Sequence, residues 1–190
     1  MLGAQKGWIV LSRSAHSYPS AEGMSLLELV VVLAILGILL TTGLSNFSVW
    51  IGNSQIRAVA EAQLAALRSA KSEAIKLNSP VQIQFDADFR GWTITVVNTN
   101  TTLKREANLS DFVNIVATPL PANANTVVFD GLGRVTQTVV GVNYTPITQL
   151  DLDNAKLTAV DSSELRLVVT PAGGVLICRP DKLAPDPSAC

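Results

Sequence analysis

Glu28 is the only charged residue among the 21 residues from Met24 to Leu44. A stretch of that length and apolarity suits a membrane-spanning helix. A lone ionisable group inside one costs about 2.5–3.5 kcal/mol on insertion scales, so it calls for a partner or a purpose. The plain reading is a glutamate near a helix end that snorkels to the interface. Few other side chains could do chemistry. His16 is the sole histidine, and Cys178 and Cys190 are the only cysteines, so no four-cysteine metal site can form. Asp130-Gly131-Leu132-Gly133-Arg134 has the glycines of a phosphate loop but lacks the required lysine and helix context, which makes it a turn. Lys plus Arg number 14 against 15 Asp plus Glu, so no global basic surface invites nucleic acid, though a local patch stays open.

Gly23-Met24-Ser25-Leu26-Leu27-Glu28 and the apolar run after it resemble the class III signal of type IV pilins and pseudopilins. Three elements coincide: a glycine, a glutamate at the fifth position after it, and an unbroken apolar run. A secretory signal is cut after an apolar region of about 7–15 residues, whereas here the candidate site precedes the run. A plain signal-anchor helix is the alternative. The resemblance implies that prepilin peptidase cuts after Gly23 and that the new amine of Met24 is methylated. The family most often has phenylalanine where this chain has Met24. The resemblance further implies that Glu28 attracts the methylated amine of a neighbouring subunit within the membrane. Low dielectric strengthens that attraction while desolvation offsets much of it, and a subunit out of step would leave a buried charge unpaired.

Residues 1–23 are then a leader, whose Lys6 and Arg13 keep its end cytoplasmic by the positive-inside rule. Its removal takes Lys6, Arg13, Glu22 and His16, leaving 12 basic against 14 acidic residues and no histidine. Histidine-dependent triads and the commonest zinc ligand go with it. Serine–lysine or paired-carboxylate catalysis has no motif to support it, so no enzyme activity, cofactor or metal is expected.

The elements that would position Glu28 follow from periodicity. Beyond residues 24–44, the membrane half, Ile56, Val59, Ala60, Leu64, Leu67, Ala70, Ala74 and Leu77 recur at helical spacing. One near-continuous helix is expected to Leu77, ended by Asn78-Ser79-Pro80, with 45–78 its amphipathic periplasmic half. Residues 79–190 form a head large enough for its own core. Val81, Ile83 and Phe85, then Trp92, Ile94 and Val96, alternate with polar residues around an Asp86–Gly91 hairpin connection. Phe89 and Trp92 read as packing residues rather than ligand contacts. Further strands are expected at 112–117, 126–129, 135–140, 165–169 and 175–178. Residues 98–102 and 119–125 read as loops, and 170–174 as a hairpin turn. The fold class is α+β: a long N-terminal helix packed on a mostly antiparallel sheet, pilin-like.

Within the pilins, Ala70 to Val81, Arg90 to Ile94, Val128 to Arg134 and Leu167 to Val175 resemble GspH/FimT-type minor pilins. That implies a head in the periplasm, where disulfides persist. A Cys178–Cys190 bridge is expected there, worth about 3 kcal/mol by loop entropy and pinning the tail to the last strand; two free thiols are the alternative. Some FimT-like proteins bind DNA through Gly-Arg-x-Arg in this region. This chain has Gly173-Gly174-Val175-Leu176 instead, leaving Arg179 and Lys182 as the candidate DNA contacts. The implied function is a minor pilin in the inner membrane, processed by prepilin peptidase and built with other pilin subunits into a type IV pilus for assembly initiation and twitching motility. A type II secretion pseudopilin is the alternative, and a DNA-uptake pilin the disfavoured third.

Overall fold

The computed structural model describes residues 23–106 and 114–190, and inside its helix the side chains of residues 40–46 lie outside the description. The expected leader therefore lies outside the described residues, apart from Gly23, as do Phe112 and Val113. The chain separates into two compact units, divided between Thr42 and Gly43.

Helix α1 runs Leu26–Leu77. Its end follows from sequence: Asn78 adopts a left-handed φ of 45°, and the Ser79 N–H reaches back to the Ala74 carbonyl at 3.2 Å. That is the closing geometry of a helix whose next residue but one is proline. In the second unit, Ile56, Val59, Ala60, Leu67, Ala70 and Ala74 are buried, as their spacing requires. Each large aliphatic among them contributes about 1.5–3 kcal/mol. The face departs from that expectation at several positions, with Leu64 only half-buried and Ala66 buried. Leu77 is exposed, and Gln63 is buried instead, its Nε2 donating to the Phe89 carbonyl at 2.8 Å.

Two four-stranded antiparallel sheets complete the core. The first has the order β3-β2-β1-β5, from Thr101–Glu106, Trp92–Val96, Val81–Phe85 and Thr126–Phe129. The second has the order β10-β9-β8-β4, from Val175–Cys178, Leu165–Val169, Gln149–Asn154 and Ile115–Leu120. A small ribbon pairs β6, Thr138–Val139, with β7, Val142–Asn143. The α+β reading therefore stands, with the sheet divided in two. One apolar cluster joins the buried helix face to both sheets, including Ile83, Ile94, Phe129, Leu152 and Leu167. Phe89 is buried and stacks on Phe85, with centroids 5.7 Å apart, and Trp92 is half-buried against the same core.

Five expected strands lie where expected, and the others need correction. The strand expected at 112–117 is observed at Ile115–Leu120, so the loop begins only after Leu120. The expected strand 135–140 reduces to Thr138–Val139 and a single bridge from Val135 to Phe129. The expected loop 98–102 ends early because Thr101 already pairs with Val96. Strand β8 was not expected at all; its alternation buries Leu150, Leu152 and Asn154 while Asp151 and Asp153 stay half-exposed.

Candidate processing and assembly site

Gly23 and Met24 are exposed ahead of the helix, the former with open space around it. Ser25 caps the helix: its Oγ accepts the Glu28 N–H at 3.2 Å, and its carbonyl accepts the Leu29 N–H at 3.2 Å. Glu28 is thus the third helical residue, where a carboxylate favours the helix dipole. Among the described residues its exposed side chain has no ion-pair partner. The serine–x–x–glutamate cap was missed in the sequence, although that spacing is itself a helix-start signal. Leu26, Leu27, Leu29, Val30 and the apolar residues after them are largely exposed. Among the described residues no helix is long and apolar enough to cross a membrane.

Hydrogen bonds bind the second half of α1 to the head at several levels. The Asn53 amide donates to the Asp161 carbonyl at 2.8 Å and accepts from the Ser163 N–H at 2.7 Å. Lys104 on β3 donates to Ser69 Oγ at 2.8 Å, and Lys71 Nζ donates to the Gly173 carbonyl at 2.8 Å. Two glycine turns meet beside Lys71. Gly173 has a φ of 76°, and a Cβ there would lie 1.8 Å from the Gly133 carbonyl oxygen. At this approach a side chain is excluded both by space and by backbone conformation.

The loop that mimics a phosphate cradle is already filled. Asp130 Oδ1 accepts the Leu132 and Arg134 N–H groups at 2.9 Å, and Oδ2 pairs with the Arg134 guanidinium at 2.9 Å. Burial pushes the Asp130 carboxyl up, but these hydrogen bonds outweigh it and hold the group below its ordinary value. The donors an incoming phosphate would need are therefore spent on the chain's own carboxylate.

Cys178 and Cys190 are joined by a disulfide with a Cα–Cα distance of 5.1 Å. The tail it pins runs beside the end of β10, with the Arg179 N–H donating to the Ser188 carbonyl at 2.7 Å. Both candidate DNA contacts turn onto one aspartate: Arg179 binds Asp181 through two nitrogens at 3.1 Å, and Lys182 lies 3.4 Å from it. Further acid surrounds them. Burial, then Asp151 and Asp153, hold the Glu164 carboxyl above its ordinary value, with Arg166 opposing and Asp181 adding. Arg166 itself is held by Asp151 across β8 and β9, at 2.7 and 2.9 Å. Among the described residues no cluster of three or more His, Cys, Asp or Glu side chains could hold a metal ion.

A family model described as type II transport protein GspH matches residues 59–173, more than half the chain. The chain belongs to the GspH family. A second model, the prokaryotic N-terminal methylation motif, matches residues 19–44. In this GspH-family chain the match spans the Gly23–Glu28 segment and ends at Leu44 with the apolar run. A crystal structure of the type IV minor pilin FimU from Pseudomonas aeruginosa is similar at 18% identity and a TM-score of 0.53, covering 70% of this chain and 95% of that one. A second crystal form of FimU gives 19% identity and a TM-score of 0.49, covering 66% and 94%. A search of curated protein sequences gives no match. The pilin fold of the head is shared with FimU. The chain is therefore a type IV pilin-like minor pilin or pseudopilin.

Proposed function

We propose that this protein is a minor pilin that prepilin peptidase cuts after Gly23, that is N-methylated on Met24, and that enters a type IV pilus through its N-terminal helix. The observation that carries the reading is the exposed Glu28 carboxylate at the third position of α1, inside a matched methylation motif. On this account residues 24–44 anchor the chain in the inner membrane, with the head in the periplasm. Extraction then exchanges lipid contacts for those of neighbouring helices. The Glu28 charge, which lipid disfavours, selects the step at which a neighbour's methylated amine lies opposite it. The partners are other major and minor pilins, and the role is initiation or a position near the tip. The alternative is the minor pseudopilin of a type II secretion system, the system for which the matched family is described.

DNA capture draws no support from Arg179 and Lys182, because both are spent on Asp181. Site-specific photo-crosslinking from helix positions in cells tests the reading. Crosslinks to pilus subunits, and recovery of the chain in sheared filaments, are the expected result. Crosslinks confined to secretion pseudopilins would transfer the protein to the alternative.

A further inference from the structure

Phe47 and Trp50 are large aromatics left open, at 58% and 65% exposure, with ring centroids stacked 5.9 Å apart. They lie just N-terminal to Gly52 and Asn53, through which α1 meets the head. There Leu157 crowds Gly52, and Asn53 holds Asp161 and Ser163. The loop making these contacts also presents Val160, which is 95% exposed and sits next to Asp161. An aromatic pair and an apolar loop tip are therefore brought to one level of the head although 110 residues of chain separate Trp50 from Val160. An exposed indole beside a second apolar ring suits lipid headgroup depth, where the apolar body and polar edge of tryptophan are both accommodated.

Sequence position says which apolar partner is at hand. Trp50 lies six residues beyond Leu44, where the apolar run ends. Along α1, Phe47 and Trp50 lie about 4.5 and 9 Å beyond Leu44, and helical side chains lean back toward the N-terminus. The headgroup layer outside the hydrocarbon is itself about 5–8 Å deep on each side. We propose that Phe47, Trp50 and Val160 form a rim that seats the head on the bilayer interface while the chain waits in the membrane, before assembly. None of the three is charged, and both signs of charge lie around them, Arg57, Arg179 and Lys156 against Asp161 and Glu164, so the partner is the interface of a zwitterionic bilayer and seating depends little on salt. Docking of this kind would fix the head's height and rotation above the membrane, presenting a defined face to the incoming filament. The inference rests on the membrane-anchored reading given above.

The test uses the full chain in phosphatidylcholine vesicles. One variant carries Trp8→Phe and Trp92→Phe, so that Trp50 is the sole indole. A second carries Val160→Cys labelled with the NBD fluorophore, and a third the same label at Leu132→Cys. Leu132 is exposed beside the far end of α1, where Gly131 meets Asn78, and serves as the control. Spin-labelled lipid is expected to quench Trp50 and the label at 160 but not the label at 132. Aqueous iodide is expected to quench the label at 132 at least about twice as strongly as that at 160. If the label at 160 behaves like that at 132 in vesicle-bound chain, the rim is overturned. A label at 160 protected from iodide yet untouched by spin-labelled lipid would mean a protein contact, and overturns it too. A chain that fails to float with vesicles overturns the membrane anchoring itself, a failure visible before any fluorescence is read.

Discussion

The backbone N–H of Glu28 is held by the Ser25 hydroxyl at 3.2 Å, while the Glu28 side chain stays exposed. The two halves of this residue therefore stand apart: the backbone helps start the helix, and on the reading proposed above the carboxylate meets a neighbouring subunit's amine. Glutamine also serves at the third position of such a cap, so Glu28→Gln removes the charge and leaves the helix start intact. Cleavage and membrane insertion are expected to be unchanged. Incorporation into filaments should fall at least tenfold, since removing one partner of a buried ion pair costs about 3–5 kcal/mol. Quantifying the variant in membrane and sheared-filament fractions checks this, and unchanged incorporation would return Glu28 to snorkelling at the interface.

Gly173→Ala is expected to destabilise the head by at least about 2 kcal/mol, because the added methyl would meet the Gly133 carbonyl at a φ of 76°. Lys71→Met, which removes only the 2.8 Å bond to the Gly173 carbonyl, should cost about 1–2 kcal/mol. Chemical denaturation followed by fluorescence separates the two. A Gly173→Ala head as stable as the parent would show that the close glycine approach is dispensable.

Reduction of Cys178–Cys190, which encloses a sequence separation of 12, should lower head stability by about 2–3 kcal/mol. The released tail should also become the first site of limited proteolysis, since its end is held by Ser188 and Ala189 beside Arg179, just past β10. Thiol titration of the native protein without reductant is expected to find no free cysteine.

Glu164 supplies a pH test. Its folded-state carboxyl lies above the ordinary 4.5, raised by burial and then by Asp151 and Asp153. The folded state therefore holds that proton more tightly than the unfolded chain. Stability from this group is present below the unfolded value and is lost as pH rises through the folded one. Glu164→Gln should stabilise the head at pH 7 by less than about 1 kcal/mol and make no difference near pH 4. A destabilised variant at pH 7 would contradict the sign.

Much of this arrangement was legible in the residues. Asn78-Ser79-Pro80 marks the helix end, and the alternations around Ile83, Ile94 and Leu167 mark strands whose alternate residues face the core, Trp92 and Leu165 half-buried and the rest buried. Strand β8 hid because Asp151 and Asp153 resemble loop formers, although one binds Arg166 and the other takes the Ser162 hydroxyl. Strand β3 hid because an exposed edge strand has no apolar alternation to show. The meeting of Gly133 with Gly173 is not local information: each is visible as a turn, but only packing on Lys71 brings the two together. Gln63 reads as a gap in the apolar stripe, yet it is buried, its Nε2 held by the Phe89 carbonyl.

The most direct measurement is the intact mass and N-terminal sequence of the protein recovered from peptidase-positive cells. A chain beginning at N-methyl-Met24 is predicted. A chain that still begins at Met1 under those conditions would contradict the account.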